Sequence, residues 1–189
     1  MTCSPSEAME TLLVGNTRFV AGSPTATNPP EQRPLLAAGQ SPIAAVLRCA
    51  DSRVAPEIVF DQPLGKLFVC SVAGNVPTRE IVESLEYAFW QFAIPLIVVM
   101  GHSSCSAVEV ALHSDAPEGL FRKIALSPTQ GYEDSIAYNA QQGAKTILDS
   151  SPSILHAVES GSLCVASGVQ DIASGKFTFL ECFQVDKTG

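Results

Sequence analysis

Two short segments of the chain carry residue types suited to metal chemistry. They are Cys49-Ala50-Asp51-Ser52-Arg53 and Gly101-His102-Ser103-Ser104-Cys105. His102 and Cys105 are three positions apart, so one helical turn or tight loop aims both at one point. Cys49 joins them if the strands preceding the two segments are neighbours. Two thiolates and one imidazole suit Zn2+, which takes Cys and His tetrahedrally. A structural zinc uses four tight ligands. Here three strong ones stand beside a carboxylate, Asp51, and three ligands with an open fourth position make the catalytic type of site. Asp51 has two alternative roles. It fills the fourth position and closes the site, or it pairs with Arg53 through a charge-assisted bond and leaves that position to water. In the second case Asp51 would accept a hydrogen bond from a zinc-bound hydroxide and orient it. Two thiolates neutralise the formal charge of the zinc, so its water is acidified less than at a three-histidine site, where the pKa is about 7. Each fragment alone has an ordinary reading: a cysteine at a strand end as a small buried hydrophobe, Asp-Ser-Arg as a surface ion pair. Their combination at two strand ends points to metal catalysis.

The elements that must position these residues are legible as periodicity. Ile43–Leu47, Leu67–Val72 and Leu96–Met100 are short apolar runs that read as buried strands. Leu163–Val169 and Lys176–Phe183 read as two further strands joined by a turn at 171–175. Thr78–Phe92, Cys105–Leu112, Tyr132–Asp149 and Pro152–Glu159 read as helices, the first with Ile81, Val82, Leu85, Ala88, Phe89 and Phe92 on one side. The pattern predicts an α/β fold: a mainly parallel central sheet flanked by helices, with an antiparallel edge strand. In such sheets function collects beyond the carboxyl ends of the strands, where both segments lie. Ahead of this, Ser4-Pro5-Ser6-Glu7 is a capping box, followed by a helical stripe of Met9, Leu12, Leu13, Phe19 and Val20 that stops at Gly22. Residues 23–34 are Pro-rich and without periodicity. Residues 1–34 therefore read as a helix and extended arm of the same domain, packing on a partner subunit, and 35–189 as an α/β zinc-binding catalytic domain.

Composition narrows the function classes. The chain has 189 residues, 46% hydrophobic and 16% charged, which excludes intrinsic disorder. A net charge of −8 argues against nucleic acid or an anionic membrane as partner. No apolar run is long enough to span a bilayer. The N-terminus has no basic segment before an apolar one, so a secretory signal is not expected. Cys3, Cys49, Cys70, Cys105, Cys164 and Cys182 are spread widely, which reads as reduced thiols in a cytoplasmic protein rather than a disulfide framework. Cys70, Cys164 and Cys182 are expected buried in strands, and Cys3 exposed. His113 and His156 fall on helices. His113 reads as a surface residue or, being near the helix after Cys105, as a proton shuttle.

These residues resemble the β-class carbonic anhydrases. The likeness is carried by CADSRVAPEIVFDQPLGKLFV and VAGN within 49–75, SLEYA at 84–88 and PLIVVMGHSSC at 95–105. GNTRFVAG at 15–22, AAGQSP at 37–42 and SPSILHAVESGSL at 151–163 extend it along nearly the whole chain. The resemblance implies reversible hydration of CO2 to bicarbonate and a proton, with one Zn2+ per chain. It implies Cys49, His102 and Cys105 as ligands, Asp51 and Arg53 as a gating and orienting dyad, and a homodimer or homotetramer. It also places Gln40 where an amide bonds substrate oxygen, and Phe68, Ala73 and Tyr87 at apolar pocket positions, some contributed across the subunit interface. As plain structure, Gln40 reads as a polar loop residue and the other three as core.

The chain departs from the family pattern at several places. Ser106 follows the last ligand where glycine is usual, and a side chain there would narrow the site. Ser71 replaces an arginine, Gln170 a tyrosine, and Val46 a tryptophan of an inhibitory bicarbonate site, which is therefore expected to be absent. Ser71 and Ser106 keep two alternatives open: a carbonyl sulfide or carbon disulfide hydrolase on the same fold, and a zinc-binding relative with little catalysis that acts as an interaction protein.

Overall fold

The structure is a computed structural model that describes residues 3–113, 115–129 and 131–184. The apolar runs form five strands: β1 (Ala44–Arg48), β2 (Leu67–Ser71), β3 (Leu96–His102), β4 (Cys164–Gln170) and β5 (Phe177–Phe183). They lie in one sheet in the order β2-β1-β3-β4-β5. The first four are mutually parallel and β5 pairs antiparallel with β4 at the edge, as the sequence predicts. The helices are α1 (Pro5–Val20), α2 (Arg33–Ala38), α3 (Pro56–Val59), α4 (Arg79–Phe92), α5 (Ser106–Leu112), α6 (Tyr132–Ser150) and α7 (Pro152–Glu159).

Alternation along the strands divides the core into two layers. Ala44, Val46, Leu96, Val98, Met100, Cys164 and Ala166 face one layer, closed by α1, α3 and α5. Ala45, Leu47, Ile97, Val99 and Val165 face the other, closed by α4, α6 and α7. The chain leaves β1 for β2 on one side and returns to β3 on the other. The carboxyl ends of β1 and β3 thus form the topological switch point where an open α/β sheet has its crevice.

Several expectations are corrected. β3 runs two residues further than its apolar stretch, because Gly101 and His102 continue the parallel ladder against Val169 and Gln170. His102 is thus fixed in a strand rather than a loop. The Pro-rich segment is not extended to residue 34. It turns at Pro30 and enters α2, with Pro34 in the first turn, where a missing N–H costs little. Cys164 and Cys182 lie on neighbouring strands with Cα atoms 6.6 Å apart and their sulfurs facing each other. Cys3 is partly buried rather than exposed. His113 lies just past α5 rather than on it.

The capping box of α1 is present, with Ser4 and Glu7 bonding each other's backbone N–H. Within the chain α1 docks on its own core through Ala8, Leu12, Gly15 and Asn16. Gly15 is required there, since a Cβ would stand 1.8 Å from the Phe60 carbonyl oxygen. Asn16 donates to the carbonyls of Val59 and Gly175 and accepts from Phe177 N–H, all in the interior. Leu13, Val14 and Val20 remain on the outer side, 40–49% exposed. The missing side chain at Gly15 is what lets α1 come this close to the end of α3. No helix among the described residues is long and apolar enough to cross a membrane.

Candidate metal centre

Cys49 follows β1 directly, His102 ends β3, and Cys105 stands at the entry to α5. Because β1 and β3 are hydrogen-bonded neighbours, with Arg48 opposite Met100, the two segments meet. One ligand atom from each of Cys49, His102 and Cys105 lies within 4.8 Å of the others. All three residues are at most 4% exposed. Between His102 and Cys105 the chain must turn back, and Ser104 does this in the left-handed region at φ 55°.

The donor chemistry fits a metal. The Ser103 carbonyl lies 2.9 Å from His102 Nδ1 and can only accept, so Nδ1 carries the proton. Nε2 is then a bare lone pair, buried and without a hydrogen-bond partner. A buried unpaired acceptor costs about 1–3 kcal/mol, which a bound cation would recover. The Cys105 thiol, 3.9 Å away, donates to Cys49. This contact, against burial, holds the Cys49 thiol below its usual range. The same contact pushes the Cys105 thiol far up, and burial adds to it. A divalent ion would let both thiols ionise.

Asp51 is not among these ligand atoms; it is committed to Arg53. Its Oδ1 accepts from the Arg53 backbone N–H and Nε at 2.9 Å each, and its Oδ2 from Nη2 at 2.6 Å. The Arg53 guanidinium holds its carboxyl well below the usual carboxylate range. Arg53 Nη2 also reaches the Ser104 carbonyl at 3.2 Å, linking the two segments. In this structure the Asp51 carboxylate is paired with Arg53.

The pocket residues read from the sequence do not all gather here. Ala73 is in the 73–75 turn, whose Gly74 N–H donates to Cys49 Sγ at 3.3 Å. Ser106 opens α5, exposed, next to Cys105. Phe68 and Tyr87 pack with Phe92 in an aromatic group on α4 and β2, in the layer opposite His102. Gln40 precedes β1, at the opposite end of that strand from Cys49, and lines a surface groove with Leu35, Leu36 and Leu64. Within one chain, Gln40, Phe68 and Tyr87 are therefore apart from the centre.

Other residues shape the site without a signal in spacing. Arg48 Nη1 donates to the carbonyls of Cys49 and Asp51 and holds their loop. Asn139, buried on α6, donates to the Gly74 carbonyl at 2.8 Å and fixes the turn that touches Cys49. Tyr132 lines a cleft of about 530 Å³ with Ser104, Glu109, Leu112 and His113. Burial and the nearby Cys105 push its phenol up. Only a tertiary fold brings these groups to the ligands.

The fold and site define an α/β protein with a Cys-His-Cys cluster that could hold a metal at the switch point of a parallel sheet. The carbonic anhydrase family model matches residues 44–177. Carbonic anhydrase 2 of Mycobacterium tuberculosis is 36% identical over 189 residues, covering 92% of this chain and 91% of that protein. The carbonic anhydrase of Mycolicibacterium smegmatis is 44% identical over 126 residues, 64% of this chain and 61% of that protein. Among solved structures, one of the two tetrameric β-carbonic anhydrases of the ascomycete Sordaria macrospora superposes with a TM-score of 0.71 at 25% identity, covering 81% and 87% of the two chains. The β-carbonic anhydrase CcaA shares the fold at a TM-score of 0.68 and 23% identity, over 92% and 95%. The chain belongs to the β-class carbonic anhydrase family.

Proposed function

We propose that the chain catalyses the reversible hydration of CO2 to bicarbonate and a proton, with one Zn2+ held by Cys49, His102 and Cys105. The observation that carries this reading is the unpartnered, buried Nε2 of His102, clustered with two thiols beside a carboxylate already committed to Arg53. When bound, the zinc supplies a Lewis acid that makes water a nucleophile near neutral pH. The chain's own residues do the rest. Gly74 N–H and the His102–Ser103 bond fix the ligand atoms before the metal arrives. Asp51, held anionic and in one orientation by Arg53, offers the acceptor that aligns the O–H of the attacking water. Ala73 offers an apolar wall beside the 73–75 turn, suited to an uncharged substrate.

The remaining pocket residues, Gln40, Phe68 and Tyr87, are supplied in this reading by a second copy of the chain, and α1 packs its outer face of Leu13, Val14 and Val20 on that copy. Three features support this: Tyr87 is 53% exposed, β2 is an unpaired edge, and the Sordaria macrospora relatives are described as tetrameric.

The test is stopped-flow CO2 hydration at pH 7 and pH 9 on protein whose zinc has been quantified. Fast turnover with one zinc per chain is expected. One zinc per chain with negligible hydration at both pH values would overturn the activity. Sedimentation equilibrium is expected to show a dimer or tetramer, and full turnover by a monomer would remove the second copy from the site.

A further inference from the structure

The ligand loop is held from a distance. Ser103 stands between the strand that ends in His102 and the turn at Ser104 that leads to Cys105, and every polar group it has is engaged. Its N–H donates to the Gln170 carbonyl at 2.8 Å. Its Oγ donates to Asp171 Oδ1 at 3.2 Å and accepts from Ile172 N–H at 2.9 Å. Its carbonyl accepts from His102 Nδ1. The 171–175 turn on which Ser103 rests is itself cross-braced. Asp171 Oδ2 accepts from the N–H and Oγ of Ser174, and Gly175 N–H donates to the Asp171 carbonyl. Asn16 of α1 grips the far end of that turn through Gly175 and Phe177.

We propose that Ser103 and Asp171 are positioning residues for the metal centre. By fixing the plane of the 103 carbonyl they hold His102 in the Nδ1–H tautomer and aim Nε2 at the thiols. The β4–β5 turn, which supplies no ligand, thereby sets metal affinity. A ligating histidine needs its other nitrogen anchored, and loss of such an anchor weakens binding by about 10–100-fold. Here the anchor is a backbone carbonyl, which cannot be deleted by substitution. Its orientation can be loosened by removing the hydroxyl that pins the peptide. The inference rests on His102 being a metal ligand, as proposed above.

The experiment uses the full chain stripped of metal and titrated with Zn2+ against a chromophoric chelator, together with nitrogen NMR of the His102 ring in the zinc-free protein. In the parent chain a single Nδ1–H tautomer is expected. Ser103→Ala and Asp171→Ala are each expected to bind Zn2+ about 10–100-fold more weakly and to show a second tautomer. The double variant is expected to be no worse than the weaker single one, since both act through one contact. Ser103→Thr keeps the hydroxyl and is expected to restore both affinity and tautomer. Unchanged affinity and a single tautomer in Ser103→Ala and Asp171→Ala would overturn the proposal. So would an equal loss in Ser103→Thr, or strictly additive losses. His102→Ala separates the two levels: if it binds Zn2+ at full affinity, the ligand assignment itself fails. If it loses Zn2+ while Ser103→Ala does not, only the positioning role fails.

Discussion

Gly74 is where a single added methyl should perturb both the fold and the centre. Its φ of 71° lies in the left-handed region, and a Cβ there would stand 2.7 Å from Ile124 Cδ1 and 3.1 Å from Cγ1. For alanine the backbone conformation costs about 1 kcal/mol. Overpacking against Ile124 adds about 1–3 kcal/mol. Gly74→Ala should therefore destabilise the chain by about 2–4 kcal/mol, a shift of about 1–2 M in the urea midpoint if the slope is about 2 kcal/mol/M. The same methyl displaces the N–H that bonds Cys49 Sγ. A hydrogen bond to a charged acceptor contributes about 1.5–3 kcal/mol, so Zn2+ affinity should fall by about 10–100-fold. Repeating the substitution in an Ile124→Ala background separates the two costs, because the clash is gone and the φ remains. There Gly74→Ala should cost only about 1 kcal/mol. Urea unfolding at fixed protein concentration and chelator competition give the two readouts. A cost below about 0.5 kcal/mol in the parent chain, or the same cost in both backgrounds, would refute the reasoning about Ile124.

Three more outcomes are expected. Asp51→Ala should keep one zinc per chain, read by metal analysis, and lose about 10²-fold or more in kcat, since the ligand atoms stay and their orienting acceptor goes; unchanged turnover would remove Asp51 from the dyad. Zn2+ binding at pH 8 should release at least one thiol proton, because the Cys49 contact and burial push the Cys105 thiol far up; calorimetry in buffers of different ionisation enthalpy reads this, and release of none would contradict it. For Asp61, burial opposes the charge, and the N–H groups of Thr25 and Ala26, then Arg18, overcome it and hold the carboxyl at about 2. The folded value lies below the unfolded one of about 3.9, so the stabilisation is present above pH 4 and is lost as pH falls from about 4 to 2. Asp61→Asn should then cost about 2 kcal/mol at pH 7 and almost nothing near pH 2, and a pH-independent difference in unfolding free energy would count against this.

The clustering of Cys49, His102 and Cys105 is legible in the sequence because its information is local. Cys49 is one residue past an apolar run and His102 and Cys105 sit at the end of another, so the only long-range condition was that β1 and β3 be neighbours. Doubly wound sheets satisfy that condition at their switch point. Strand and helix types were legible for the same reason, since alternation and the 3.6-residue period act within a window of a few residues. Their ends were less so. Hydrophobicity stops at Met100, whereas the ladder against β4 stops at His102.

The pocket residues illustrate a different limit. Gln40, Phe68 and Tyr87 show the marks of ordinary core or loop residues, and in a single chain that is where they sit: two in an aromatic group and one on a groove. Their odd feature is incomplete burial. Tyr87 is 53% exposed and Trp90, one turn further along α4, is 86% exposed. A helix that buries Val82, Leu85 and Ala88 against the sheet has no reason of its own to carry two large aromatics on its outer side. Exposed aromatic surface beside an unpaired strand edge is surface that an assembly would cover. The cluster of Cys49, His102 and Cys105 is therefore written in spacing. The outer side of α4 is written only as surplus apolar exposure, which becomes visible once the fold shows which side of the helix is turned outward.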